Sequence, residues 1–292
     1  MTGILLIDKA EGWTSHDVVA KLRGILKTRR IGHAGTLDPL ATGLLTIFIG
    51  AATKAVQFAE AEEKTYIAHL KLGTTTDTQD ITGTVLSETP QNITKAQLEA
   101  VLPQFTGDIL QVPPMYSALK IDGERLYKLA RKGVEVERKP RPITVRQIRV
   151  QEQLDDGFLL EVTCSKGTYI RTLCHDIGQA LAVGGVMKTL RRTAVGSFSV
   201  TQAHSIETLQ NVVEKEELLL PLDDLFAAYP AVKLNAKQEQ KLRYGQVFSI
   251  EMDTLGLCRV YSETGQFLSL AEISAPDGKL TSVKNFFGQV GG

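Results

Sequence analysis

Short apolar segments typical of β-strands recur along most of the chain, and they constrain the fold more than any other feature of the sequence. They are GILLID (3–8), LLTIFI (44–49), KTYIAHLKL (64–72), FLLEVTC (158–164) and LRRTAVGSFSV (190–200). Helical periodicity occurs after the first segment and after SKGTY (165–169), but helices and strands do not alternate regularly. A parallel sheet built from βαβ units requires such alternation. The pattern therefore predicts an α+β fold with a mixed, mainly antiparallel sheet flanked by helices.

Two segments differ in composition from the rest of the chain. Residues 107–142 contain prolines near both ends and lie largely in a basic region, since residues 116–149 hold ten Lys/Arg against four Asp/Glu. This composition predicts an arm that stands away from the core. From about residue 229 onward, short strand patterns separated by Gly and Asp predict a small, mostly β module. We therefore expect one domain over 1–225, with a basic arm at about 107–142, and a second over 229–292.

The overall composition excludes several classes of protein. The 292 residues carry 33 basic and 33 acidic side chains, and 43% are hydrophobic, as in an ordinary globular protein. No apolar run approaches the roughly 18 residues of a membrane span. Three cysteines without a Cys-x-x-Cys pair and five histidines without ligand spacing predict neither a disulfide framework nor a metal site. The N-terminus lacks the basic lead-in and cleavage site of a signal peptide, so we expect a cytoplasmic protein.

The loop GHAGTLDPLATG (32–43) joins two apolar elements and has the polar, glycine-rich composition in which chemistry is often placed. Gly43 is followed by Leu44 instead of Lys and Ser/Thr, so the loop is not a nucleotide-binding P-loop. Asp38 precedes Pro39, which restricts the aspartate to extended backbone geometry and fixes the direction of its carboxylate. A turn aspartate that caps its own backbone explains the same residues, and the loop alone favours that simpler interpretation.

A second candidate segment, SKGTYIRT (165–172), leads into a helix with Tyr169 and Arg171 on its first turn. A guanidinium can hold a carboxylate ionised and oriented through paired hydrogen bonds. If Arg171 meets Asp38, the carboxylate is held by a cation, which suits a nucleophile. A surface ion pair for Arg171 and helix packing for Tyr169 are the simpler alternatives. Tyr66, on the apolar face of its strand, is by default a core residue.

Several blocks, in this order along the chain, resemble the tRNA pseudouridine-55 synthase family. They are GILLIDK with GWTSHDVV, RIGHAGTLDPLATGLL, KTY, SKGTYIRTL and LRRT. The block around Asp38 is long and specific, and the resemblance covers about residues 3–225, with a weaker likeness beyond. Ala10 departs from the family, which usually has proline after the lysine, and this departure affects only the local turn.

The resemblance implies a mixed antiparallel sheet flanked by helices, with an inserted arm that grips the T stem-loop of tRNA. The C-terminal module then corresponds to a small PUA-like RNA-binding domain, although residues 205–292 carry eight basic against twelve acidic side chains. The implied reaction isomerises uridine 55 to pseudouridine after the base is flipped out of its stack. This reaction needs no cofactor and no metal. We expect tRNA as the partner, no membrane association, and a monomer.

The resemblance also assigns candidate site residues. Asp38 is the implied catalytic aspartate, acting either as a nucleophile at C1′ or C6 or as a base at C2′, and Arg171 holds its carboxylate. Tyr66 is the implied stacking tyrosine, which can later act on the C5 proton. The remaining positions are implied substrate contacts: Tyr169 and Leu190 line the uracil pocket, His33 contacts the nucleotide, and Lys9 and Lys54 contact phosphates.

Two other classes of function are compatible with parts of the sequence. A non-catalytic RNA-binding or tRNA-folding protein could retain the same pocket, but the intact set of Asp38, Tyr66 and Arg171 argues against a loss of catalysis. A retaining glycosidase usually needs a second carboxylate about 5 Å from the first. Neither of the two motif blocks that carry Asp38 and Arg171 supplies one.

Overall fold

The computed structural model describes residues 1–121, 123–250 and 255–287. Its strands are β1 (Gly3–Lys9), β2 (Ile31–Ala34), β3 (Thr42–Ile49), β4 (Lys64–Leu72), β5 (Thr74–Thr76), β6 (Val85–Glu88), β7 (Gly107–Gln111), β8 (Lys120–Ile121), β9 (Glu124–Arg125), β10 (Arg141–Leu154), β11 (Gly157–Cys164), β12 (Gly185–Val195), β13 (Phe198–Ser199), β14 (Ala231–Lys233), β15 (Phe248–Ser249), β16 (Gly256–Tyr261), β17 (Phe267–Ser274) and β18 (Lys279–Asn285). Its α-helices are α1 (Ser15–Leu26), α2 (Val56–Ala61), α3 (Lys95–Val101), α4 (Leu126–Arg131), α5 (Ile170–Ala180), α6 (Ile206–Asn211) and α7 (Ala236–Arg243).

Nine strands of the described chain form the main sheet, in the order β1-β3-β12-β4-β11-β10-β7, with β2 paired to β3 and β13 paired to β12. All of these pairs are antiparallel except β3 with β12, which are parallel. The prediction of a mixed, mainly antiparallel sheet flanked by helices is therefore confirmed.

Most residues of β1 and β3 are apolar because both faces of these strands are covered. On one face, Leu5 packs in the same cluster as Leu22 of α1. On the other face, Leu6 and Phe48 pack with Phe226, which lies in a 3-10 turn after the main sheet. Burial on both faces explains why these strands lack the alternation of polar and apolar residues seen in half-exposed strands.

Helices α1 and α5 flank the sheet and follow their sequence signals. Thr14 caps α1, and its side chain and that of Asp17 form a reciprocal capping box. The α5 helix buries Ile170, Leu173 and Ile177, the face that its periodicity predicts. In the segments that the structure covers, no helix is long and apolar enough to cross a membrane.

The arm emerges from the edge of the main sheet between β7 and β10. These two strands pair with each other, so residues 107–111 and 141–142 of the expected arm belong to the sheet. The segment outside the sheet is 112–140, which contains the short β8-β9 hairpin and α4. Leu126 is buried at the start of α4, and most of the arm's basic side chains are exposed.

A second sheet, with the strand order β14-β16-β17-β18-β15, forms the C-terminal part of the chain. Residues 251–254 and 288–292 of the expected 229–292 domain lie outside the described residues. Phe226 contacts Phe58 of α2, Phe267 of β17 and Phe286 directly after β18, with ring centroids 5.4–6.0 Å apart. This aromatic cluster joins the two sheets.

Gly43 provides a test of the junction between β3 and β12. Its φ is 96°, and a Cβ at this position would collide with the backbone of Arg192. We expect Gly43→Ala to lower the free energy of unfolding by at least about 2 kcal/mol, because left-handed strain and a backbone collision add. Gly12→Ala is the matched control, since Gly12 has a φ of 83° and open space around its Cβ position. If urea denaturation showed the same loss of unfolding free energy for both variants, this explanation would be wrong.

Candidate active site

The Asp38 loop connects β2 to β3 and closes on itself through its backbone. The Ala41 N–H donates to the Asp38 carbonyl at 3.0 Å, and Gly35 adopts a φ of 71° at the start of the loop. The Asp38 side chain is 46% exposed. The loop thus presents the Asp38 carboxylate at the protein surface.

Side chains and backbone from other elements hold the main chain on both sides of Asp38. The bonds are Arg192 Nη2 to the Gly35 carbonyl (3.0 Å), the Leu37 N–H to Ser15 Oγ (2.9 Å), Lys9 Nζ to the Pro39 carbonyl (3.4 Å) and the Gly12 N–H to the same Pro39 carbonyl (2.8 Å). Because the donors and acceptors come from β12, α1, β1 and the turn between β1 and α1, the position of the loop depends on the assembled sheet.

Arg171 orients the carboxylate of Asp38. Its side chain is 7% exposed, and its Nε lies 3.0 Å from Asp38 Oδ2. Its other nitrogens donate to the carbonyl of Thr78 at 3.1 Å and to that of Tyr116 at 2.9 Å. These bonds leave the guanidinium a single orientation, so the contact that the sequence suggested is present and its direction is fixed.

A second carboxylate, Asp80, binds the other side of the same guanidinium. Its Oδ2 lies 3.5 Å from Arg171 Nη1, and its side chain is 10% exposed. Its Oδ1 accepts hydrogen bonds from the backbone N–H of Thr82 at 3.0 Å and from the Thr78 hydroxyl at 2.9 Å. Asp80 is therefore buried, and both of its oxygens have partners within the protein.

Asp80 is not among the residues predicted from the sequence. The only signal for it is the run of threonines and aspartates in TTTDTQDITGT (74–84), a composition that also describes any tight polar turn. Its pairing with Arg171 depends on the fold, since the two positions are far apart in sequence.

Tyr66 on β4 lies directly opposite Arg192 of β12 in the strand register. Burial raises the pKa of its phenol, while the charge of Arg192 opposes this effect and the charge of Asp38 adds to it. Both charges therefore act on the Tyr66 hydroxyl. The phenol is protonated at neutral pH.

Tyr169 and Leu190 lie on elements that border the same loop. Gln111 accepts from the Tyr169 N–H at 2.8 Å and donates to its carbonyl at 3.1 Å, which fixes the entry to α5. Burial raises the pKa of the Tyr169 phenol, and the Asp38 charge adds to the effect. Leu190 is buried on β12, and its carbonyl accepts from the Thr42 hydroxyl at 3.4 Å.

His33 lies on β2, the strand that leads into the Asp38 loop. Burial lowers the pKa of its imidazole to about 4, with His16 and Arg192 adding to the effect, so the ring is neutral at physiological pH. Its ring meets that of His16 edge to face, with centroids 5.6 Å apart. Within the described residues, its buried Nδ1 has no hydrogen-bond partner.

The two lysines expected to contact phosphate bind backbone carbonyls instead. Lys9 is 1% exposed, and its ammonium donates to Trp13 at 2.6 Å as well as to Pro39. Burial lowers the pKa of Lys9 to about 8. Lys54 donates to the carbonyls of Asn285 and Phe287, so it ties the turn after β3 to the end of the C-terminal sheet. Sequence alone shows a lysine near a motif, but it does not show where the ammonium is buried.

The arrangement supplies an oriented carboxylate, two protonated phenols and a neutral imidazole around one partly open loop. Among the described residues, no group of three or more His, Cys, Asp or Glu side chains could hold a metal ion. The chemistry that this set can perform is attack or proton transfer by Asp38, with the tyrosines available to stack on a planar base or to move a proton.

Three family models match successive parts of the chain. They are "TruB family pseudouridylate synthase (N terminal domain)" over residues 23–170, "tRNA pseudouridylate synthase B C-terminal domain" over 171–227 and "Pseudouridine synthase II TruB, C-terminal" over 230–282. The first model alone covers half of the chain.

Curated proteins match over nearly the whole length. The tRNA pseudouridine synthase B of Stutzerimonas stutzeri is 43% identical over 287 residues, which are 96% of this chain and 94% of that protein. The protein of the same name from Haemophilus influenzae is 42% identical and covers 92% of this chain and 88% of its own.

Solved structures share the fold at low identity. A chain of a Cbf5-Nop10-Gar1 complex aligns with a TM-score of 0.74 and 24% identity, covering 98% of this chain and 85% of that one. A chain of an H/ACA RNP bound to a substrate RNA aligns with a TM-score of 0.73 and 22% identity, covering 99% and 86%. The family models, the near-full-length relatives and the shared fold agree, and this chain belongs to the TruB family of pseudouridine synthases.

Proposed function

We propose that the chain isomerises uridine 55 in the T-loop of tRNA to pseudouridine, without a metal or a cofactor. The observation that carries the proposal is the contact between Arg171 Nε and Asp38 Oδ2, 3.0 Å long, in a loop that leaves the carboxylate 46% exposed. The buried guanidinium fixes the carboxylate, and a base flipped out of RNA can approach the carboxylate from its exposed side. Membership of the family supports tRNA as the substrate.

The reaction breaks the N1–C1′ bond, turns the uracil and joins C5 to C1′. No electrons and no groups are lost, so the required parts are a carboxylate at the ribose and a site that excludes water. Asp38 acts as a nucleophile at C1′ or C6 or as a base at C2′, and each of these roles needs the same oriented oxygen.

The substrate uridine must leave its stack before it reaches Asp38, at a cost of a few kcal/mol. Stacking on an aromatic ring recovers about 1–3 kcal/mol per base, and Tyr66 is the ring we assign to this role. We assign Tyr169 and Leu190 to the walls of the uracil pocket and His33 to a contact with the nucleotide. Arg171 and Asp80 position the Asp38 carboxylate.

The arm at 112–140 supports binding of the tRNA T stem-loop. Arg125 and Arg131 lie over the Tyr127 ring, 6.0 and 5.5 Å from its centroid, and Lys128 and Lys132 are exposed beside them. A ring flanked by cations suits contact with an RNA backbone. The proposed domains are 1–225 for catalysis and 229–292 for a PUA-like RNA contact, in a monomeric, cytoplasmic enzyme.

The role of Asp38 is tested by Asp38→Asn. We expect unchanged affinity for an unmodified tRNA transcript and no release of tritium placed at C5 of its uridines, because making the C5–C1′ bond expels that hydrogen. Asp155→Asn, an exposed aspartate in the turn between β10 and β11, is the matched control and should release tritium at the parent rate. Turnover by Asp38→Asn would exclude the assignment.

The role of the arm is tested by Lys128→Ala and Arg131→Ala. Each change should weaken tRNA binding and reduce the slope of log affinity against log salt by about 1, because each removes one phosphate contact. Lys95→Ala, which removes an exposed lysine of α3 paired with Glu99, should leave the slope unchanged. If the arm variants kept the parent slope in filter binding at several salt concentrations, the arm would not be the RNA contact.

A further inference from the structure

Arg192 is buried without an opposite charge. It is 1% exposed, and in the part of the chain that the structure describes no carboxylate lies within ion-pair distance of it. Its sequence neighbour Arg191 pairs with Asp8 at 2.7 Å, and Arg171 pairs with Asp38. Burying an unpaired charge is strongly unfavourable, so its presence beside the candidate active site requires an explanation.

The hydrogen bonds of Arg192 explain only part of its role. Its Nε donates to the Leu44 carbonyl at 2.7 Å, and its Nη2 donates to the Gly35 carbonyl at 3.0 Å. These bonds fix both ends of the Asp38 loop. Carbonyls can be satisfied equally by a neutral amide donor, so the bonds do not account for the buried positive charge.

The positive charge of Arg192 acts on Tyr66. Arg192 and Tyr66 are directly opposite each other in the antiparallel pairing of β12 and β4, so their side chains share one face of the sheet. Burial raises the pKa of the Tyr66 phenol, and Arg192 is the strongest influence that opposes it. The nearby ammonium of Lys64 is occupied by the carbonyls of Glu60 and Glu62, each at 2.6 Å.

The proposed isomerisation must also remove the C5 proton, and we assign this step to Tyr66, which carries a negative charge during it. After the C5–C1′ bond has formed, C5 carries its hydrogen as well as the ribose, and N1 lacks a proton. The Tyr66 hydroxyl gives its proton to N1, and the phenolate oxygen then takes the proton from C5. The electron pair of the C5–H bond restores the C5–C6 double bond, so Tyr66 ends the step as a phenol and no proton or electron is gained or lost.

We propose that Arg192 is a positioning residue for this step, because its buried charge faces Tyr66 and stabilises the phenolate that the step requires. The inference rests on the proposed function and adds a residue to it. It also separates the roles of two arginines in the site. Arg171 orients the carboxylate for breaking the N1–C1′ bond, and Arg192 supports removal of the C5 proton.

The test compares the parent, Arg192→Lys and Arg192→Gln in single turnovers of tRNA carrying protium or deuterium at C5 of uridine. We expect both variants to bind tRNA like the parent and to convert it more slowly, by about tenfold or more for Gln and less for Lys, which keeps the charge. We also expect a larger C5 isotope effect in both variants, because removal of the C5 proton becomes slower. Conversion is measured by separating the nucleosides after digestion.

Arg191→Lys is the matched control on the same strand and should behave like the parent. A slower variant with an unchanged isotope effect would overturn the proposal, because a displaced Asp38 loop slows bond breaking and not C5 deprotonation. Variants as fast as the parent would overturn it as well. If Arg192→Gln does not fold, as judged by thermal unfolding, Arg192→Lys alone decides between these outcomes. An inactive parent would instead contradict the proposed function itself.

Discussion

The position of one short loop is the constraint on which the rest of the active site depends. The carbonyls of Gly35 and Pro39 would ordinarily bind water, yet they accept hydrogen bonds from the buried cations Arg192 and Lys9. A loop anchored in this way has little freedom to move its carboxylate, and small displacements of a reacting group cost large factors in rate. The sheet therefore serves as a rigid frame for Asp38.

Holding the Asp38 loop in place with buried cations lowers the stability of the fold. Burial lowers the pKa of Lys9 to about 8, so keeping its ammonium charged in the folded protein is unfavourable. The Lys9 ammonium is held by the backbone carbonyls of Ala10, Trp13 and Pro39, at 2.6–3.4 Å. Buried cations that stabilise a loop instead of a core are expected where function demands a fixed geometry.

The sequence predicted the sheet and the contact of Arg171 with Asp38, because strand periodicity and motif order are local or directly readable. It did not predict Asp80, whose partner lies about 90 positions away, and it assigned Leu190 but passed over Arg192 two residues later. The phosphate roles expected for Lys9 and Lys54 do not fit their contacts. In each case the missing information is burial or a contact made in the folded chain, which composition and spacing do not contain.

Strand register explains why these particular residues meet. Leu190 and Arg192 are two positions apart on β12 and face the same side of the sheet, opposite Ala68 and Tyr66 of β4. The intervening Arg191 faces the other side and pairs with Asp8. The parallel contact of β3 with β12 then brings the start of β3, and with it the Asp38 loop, against this face. A shift of one residue in β12 would exchange the two arginines, so the register of a single strand determines which charge enters the site.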